Sequence, residues 1–324
     1  MIIKGGFLTM GSKRIGLARV EALLENLKRD INWQTSTFSR SGGVIFRWNY
    51  ISCQTPIVSN IGSTAHGVLA DGELMSMIFP GPNGEMYPAQ CSVVGAHTAA
   101  GGRFMVEGTI PATDTNNTAA GFNLQGDAET ADNTGIEIIP GGTAFGGASA
   151  CTIGTHAMSF DVTWYSVDYT DQDAVTIGFR KVEEFETGHG AILAAASGDP
   201  LYTDFVAFGV QSADDVQIAT RLNDGTMGSG TGCAFTDSTQ ATAASKNHRF
   251  KIDVTKGGVV TYSHIGAAVA GAGTLAAPTT TAAFTFDSGD IVVPYIVVQS
   301  TNADSGIYLK DIKITRSGGK AYVS

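Results

Sequence analysis

At 324 residues with a formal net charge of −10, the chain is long enough to bury a substantial core without a cofactor to hold it. Its acidity excludes a broad phosphate-binding surface, so nucleic acid is not expected as a partner. Charged residues make up 15% against a typical ~25%, and the 41 glycines point to a surface of small residues suited to packing against neighbours.

The opening Met1–Met10 is too short and too Gly-interrupted for a signal peptide, and no apolar run approaches the ~18 residues of a membrane span. Ser12–Ile31 predicts the one convincing helix. Ser12 is placed to cap it, and Leu17, Val20, Leu24, Leu27 and Ile31 recur at alternating steps of three and four. About two heptads do not sustain an isolated coiled coil. Two readings are therefore open: an amphipathic helix packed on its own domain, or an anchoring arm that docks on another subunit or forms a short oligomeric bundle. Lys13 and Arg14 oppose the helix dipole, a mismatch that an acidic partner would relieve.

Residues 34–88 read as a linker and an extended β arm. Within them Val44–Ser52 is a strand, and Val68–Pro82 is a hairpin turning at Asp71-Gly72. Beyond them strand-like runs recur between turn residues through residue 317, the signature of a sandwich or barrel. The expected organisation is 1–33 for arm and helix, 34–88 for the β arm, 89–317 for the sandwich and 318–324 for a tail.

The clearest strand grammar is Met158–Phe185. Phe160, Val162 and Trp164 alternate with polar residues, an acidic turn follows, and Val175, Ile177 and Phe179 alternate again. This predicts a hairpin with one buried and one wet face, and it places Trp164 in the core. Ile291–Gln299 is apolar on both faces and belongs inside a stack, with Pro294 marking an edge or bulge. Lys256-Gly257-Gly258 closes a tight hairpin, and Thr226–Ser245 and Gly266–Thr281 read as loops.

Chemistry-bearing patterns are sparse. GxxxxGK[ST], GxSxG and HExxH are all absent. The cysteines Cys53, Cys91, Cys151 and Cys233 lack zinc spacing and read as free buried thiols, as suits assembly in a reducing cytoplasm. Glu183, Glu184 and Glu186 beside His189 form the densest acid/base group, but a solvated strand end explains them as well as a glycosidase pair does. Asp168, Asp171 and Asp173 offer oxygen ligands suited to Ca2+, without the Gly and distal Glu of an EF-hand loop. No catalytic or cofactor-binding residue is assigned.

Two groups of phrases carry a resemblance. Ser12–Ile31, SKRIGLARVEALLENLKRDI, resembles the N-terminal segment of virion structural proteins of marine tailed bacteriophages, including cyanophages. Asn133–Phe145, Ala150–Val167, AVTIGFRKVEEF, Arg249–Tyr262, Phe284–Val298 and Ile307–Ile314 are together similar to the concanavalin-like, laminin-G-type sandwiches of such proteins. The resemblance implies a mainly β chain: a concanavalin-like or jelly-roll antiparallel β-sandwich preceded by one amphipathic helix and an extended β arm. It further implies a non-enzymatic capsid decoration or cement protein in the virion. Its partners would be the major capsid protein or other virion proteins, and its unit a homo-oligomer such as a trimer. The alternative is a tail-fibre or receptor-binding protein whose sandwich binds host-surface glycans.

Overall fold

The computed structural model describes residues 43–49, 57–59, 67–69, 74–94, 104–107, 121–126, 134–166, 172–185, 202–210, 215–227, 232–241, 246–268, 282–300 and 306–317. In chain order the strands are β1 (Gly43–Asn49), β2 (Ile57–Ser59), β3 (Gly67–Leu69), β4 (Leu74–Pro80), β5 (Met86–Val94), β6 (Phe104–Glu107) and β7 (Phe122–Gly126). There follow β8 (Thr134–Pro140), β9 (Gly142–Thr143), β10 (Gly146–Gly147), β11 (Cys151–Thr152), β12 (Ala157–Ser166), β13 (Gln172–Lys181) and β14 (Phe205–Val210). The last are β15 (Asp215–Arg221), β16 (Ala234–Ala241), β17 (Lys246–Val254), β18 (Val260–Ala268), β19 (Ile291–Ser300) and β20 (Gly306–Ser317). The predicted helix, with Leu17, Val20, Leu24, Leu27 and Ile31, lies outside the described residues.

The strands form two large antiparallel sheets. One is eight-stranded, in the order β18-β17-β12-β20-β7-β6-β3, with β1 also pairing β20. Strand β20 is long enough for both neighbours: Gly306–Leu309 pair with β7 and the stretch from Asp311 to Arg316 with β1. The other sheet is ten-stranded, in the order β16-β15-β14-β13-β19-β8-β5-β4-β2, with β11 on β19. The strands within residues 34–88 thus pair with strands of the main sandwich: β1 with β20, β3 with β6, and β4 with β5.

The apolar rows of Met158–Phe185 are buried as alternation requires, but the two strands are not a hairpin. Strand β12 pairs with β17 and β20, and β13 pairs with β14 and β19 in the opposite sheet. Their rows meet face to face across the core, with the rings of Phe160 and Phe179 edge-on at 5.8 Å. A period of two tells which face of a strand is apolar and is silent on whether that face has its neighbour beside it or opposite it.

The expected Val68–Pro82 hairpin is corrected for the same reason: β3 pairs with β6 in the smaller sheet, while β4 pairs with β5 and β2 in the larger. Strand β16 runs through a segment expected to be loop. Among the described residues it pairs only with β15 and ends the sheet, so one neighbour satisfies it without an apolar row of its own.

Strand β19 is interior, flanked by β13 and β8. Pro294 marks no edge. It falls between the residues paired to β11 and those paired to β8, an interval where β19 has no strand partner on that side among the described residues and a missing N–H costs no ladder bond. The Lys256-Gly257-Gly258 turn closes as expected, with Thr255 N–H donating to Val259 O at 2.9 Å.

One core lies between the sheets. Trp48, Phe46, Phe79 and Phe122 interlock edge-on and tie β1, β4 and β7 together. A second apolar layer, with Tyr202, Phe205, Ala207, Ala219, Val293, Tyr295 and Val297, covers the outer face of the larger sheet. That sheet is therefore dry on both sides through its centre.

Candidate recognition surface

Strand directions bring several described turns to one end of the sandwich. From the larger sheet come 81–85, 141–150, 182–185, 202–204, 222–227 and 232–233; from the smaller come 255–259 and, between the sheets, 153–156 and 287–290. They are laced together by backbone bonds: Gly141 N–H to Pro88 O at 2.8 Å, Gly154 N–H to Lys256 O at 2.8 Å and Gly289 N–H to Ile153 O at 3.1 Å. All five exposed large apolar residues among those described, Val44, Met86, Phe145, Val259 and Ile291, lie at this end.

Phe145 is the most exposed of them, at 68%. It crowns the short β9–β10 hairpin, whose backbone has little freedom. Gly147 has φ +120, and a Cβ there would sit 2.8 Å from Gly142 Cα, so glycine alone fits the close approach. Ala144 N–H donates to the Gln90 side chain at 3.0 Å, Ser149 N–H to Gly141 O at 3.0 Å, and Phe145 N–H to Thr143 Oγ1 at 3.3 Å. Ala144 packs into the outer apolar layer beneath. The result is an aromatic ring held in water by a fixed scaffold.

Polar groups share this end. Asn223 and Asp224 both adopt positive φ, 53 and 55, and Gly225 N–H closes onto Leu222 O at 3.1 Å, the geometry of a type I′ turn that Asn and Asp tolerate. Asp204 accepts from Asn223 N–H at 2.7 Å, and Asn223 Nδ2 reaches Asp287 at 3.1 Å. Lys181 Nζ bridges Asp290 at 2.9 Å and Asp204 at 3.3 Å; the Asp290 hydrogen bond, helped by Asp204, raises the Lys181 pKa against the opposing effect of burial. In the 81–85 turn, hydrogen bonds from its own N–H and from Asn83 hold the Glu85 carboxyl below the usual carboxylate range.

Beneath this end, on the outer face of the larger sheet, Glu137 and Arg180 are fully buried as a pair, with Nε to Oε1 at 2.6 Å. Tyr202 Oη donates to the other Glu137 oxygen, and the Arg180 guanidinium lies 4.2 Å from the Tyr202 ring centroid. Arg180 Nη1 donates to the carbonyls of Lys181 and Glu183, each at 3.0 Å. Burial works against the charge on Arg180, but Glu137 outweighs it and the pKa rises. Burial pushes the Tyr295 hydroxyl well above its ordinary range.

Of the acid/base group singled out from sequence, the described residues include Glu183 and Glu184. Glu183 accepts from Thr203 N–H and Thr203 Oγ1, which anchors the segment after β13, while Glu184 is exposed. Glu186, His189, Asp168 and Asp171 lie outside the described residues, as does the Asp173 side chain. Among the described residues no cluster of three or more His, Cys, Asp or Glu side chains could hold a metal ion. Trp164 is fully buried and stacks on His248, so it is core. Cys91, Cys151 and Cys233 are buried thiols outside any disulfide, and burial pushes Cys151 up to about 11.

Sequence reasoning passed over Phe145 as a site residue; its signal was a lone aromatic between glycine pairs in GGTAFGG. It also missed Glu137 and Arg180, since both read as the wet face of an alternating strand.

No family model matches the chain, and no curated protein matches it. Solved structures similar to it include a protein of unknown function from Shewanella oneidensis MR-1, at 12% identity and TM-score 0.37, covering 90% of this chain and 96% of that one. They also include arcelin-5, a lectin-like defense protein from Phaseolus vulgaris, at 8% identity and TM-score 0.42, covering 71% of this chain and 99% of that one. Lectin UEA-II, solved with galactose, is similar at 9% identity and TM-score 0.41, covering 70% of this chain and 92% of that one.

Proposed function

We propose that the chain is a non-enzymatic recognition module whose laced sandwich end binds host-surface glycans, in the role of a receptor-binding component. The observation that carries this reading is Phe145, a water-exposed ring on a hairpin too tightly bonded to fold it away. An aromatic face fixed in this way packs on the C–H face of a pyranose, while polar groups at the same end, such as Asn223 and Asp287, suit sugar hydroxyls. The engagement of Glu183 with Thr203, and of Asp204 and Asp290 with Lys181, favours structural roles for these carboxylates over acid/base work.

A glycan array probed with the full chain should give hits, and Phe145→Ala should weaken them at least about tenfold while the urea midpoint stays unchanged, because an exposed ring contributes little to folding. Hits that survive the substitution, or an array without hits, would overturn the reading.

A second reading is favoured by the heptad-like pattern of Ser12–Ile31 and its virion resemblance. In it the chain is a capsid decoration protein that bridges shell subunits through its N-terminal arm and is present in hundreds of copies. Quantitative mass spectrometry of particles separates the two readings, since a receptor-binding component is expected at low copy number.

A further inference from the structure

We propose that His264, together with His248, is an acid-sensitive latch between the two sheets, placed away from the Phe145 hairpin toward the opposite end of the sandwich. Alternation along β17 and β18 turns both imidazoles into the core, where His264 is 4% exposed and His248 1%. Their rings lie nearly parallel, 6.1 Å apart. His248 stacks on Trp164 at 4.7 Å, and His264 packs on Phe250 at 4.9 Å. Phe208, from the larger sheet, lies 4.8 Å from Phe250 and 6.1 Å from His264, so the cluster spans both sheets.

Among the described residues neither ring nitrogen of His264 has a hydrogen-bond partner; protonation would turn the bare acceptor nitrogen into a second unsatisfied donor and add a buried charge. No carboxylate among the described residues shares that space. On β12, Asp161 pairs with Arg249 on the outer face; on β17, Arg249, Lys251 and Asp253 alternate outward; on β16, Asp237 is exposed. Strand β14 has no charged residue, and the side chain of Asp215 at the start of β15 is outside the described residues. The titratable groups on the core side are His248 and Tyr262, whose hydroxyl donates to Ala282 O at 3.0 Å.

Burial, and secondarily His248, depress the His264 pKa from its ordinary value to about 3. The sign follows from linkage. Between about 6.5 and 3 the unfolded chain binds a proton that the folded chain refuses, so stability is present above the unfolded pKa and is lost as pH falls. The unfolding equilibrium constant should rise by up to roughly tenfold per pH unit on this account. The sandwich is locked at neutral pH and loosens in acid where its sheets meet.

Urea unfolding of the full chain at pH 7.5, 6.5, 5.5 and 5.0 tests this in wild type, His264→Phe and His264→Gln. The expected result is a wild-type midpoint that falls across the series and variants that lose about one proton's worth of the slope. An acid slope in His264→Phe or His264→Gln equal to wild type would overturn the latch. Should the phenylalanine variant fail to fold, the glutamine variant and the NMR titration of the wild-type His264 ring decide. A ring still neutral at pH 5 supports the proposal, and a midpoint near 6.5 overturns it.

Discussion

Arg180→Met is expected to cost about 3–5 kcal/mol of unfolding free energy, because it strands the Glu137 carboxylate under the outer apolar layer of the larger sheet. Both side chains are fully buried, and once the guanidinium is gone the Tyr202 hydroxyl is the one hydrogen-bond partner left to Glu137 among the described residues. Arg180 also ties the segment after β13 through the carbonyls of Lys181 and Glu183, so its loss loosens the backbone beneath the candidate surface. The double variant Arg180→Met, Glu137→Leu should recover most of the loss. The pair is imperfectly satisfied, with Arg180 Nη2 and Tyr295 Oη lacking protein partners, and replacing such a pair with packed apolar groups is often close to neutral. Urea unfolding at pH 7 measures both terms. A single-variant cost below about 1 kcal/mol would show that the pair is solvated and that the outer layer is not a dry core.

The second large effect is expected at Gly178, in the middle of β13. A Cβ there would lie 2.0 Å from Val206 O and 2.6 Å from Ala207 Cα, both backbone atoms of a strand paired on its other side as well. Because a central strand cannot yield without breaking its ladder, Gly178→Ala should cost about 3 kcal/mol, the upper end of overpacking penalties. Gly84 supplies the comparison. A Cβ at that position meets nothing within 4 Å, and the strain is confined to a φ of +85. Gly84→Ala should therefore cost only about 1 kcal/mol. Equal costs at the two sites, read from unfolding midpoints, would mean that the β13–β14 contact is looser than its geometry.

Much of the strand content was legible because alternation is a local property. Phe160, Val162, Trp164, Val175, Ile177 and Phe179 were each expected inward and each is buried. The doubly apolar run at β19 was rightly expected to be interior, for a strand buried on both faces has no polar row to show. The edge strand β16 was not legible, since a strand with one neighbour and little apolar content resembles a polar loop. The candidate site was barely legible: the exposure of Phe145 depends on the stacking of glycines that bring two backbone segments within contact.

The apolar rows, the mainly β character and the absence of familiar catalytic motifs follow from residue order, since each is set within a few positions of the chain. Pairing was settled only in three dimensions, where β12 and β13 face each other across the core instead of lying side by side. The second burial layer was settled there too. The face that carries Glu137 and Arg180 looks wet from its own strands, and it is the packing of Ala144, Ala150, Phe185, Tyr202 and Met227 into the apolar layer on that face that removes the water. Which residues end up dry on a second face depends on segments far away in sequence, and local alternation carries no information about them.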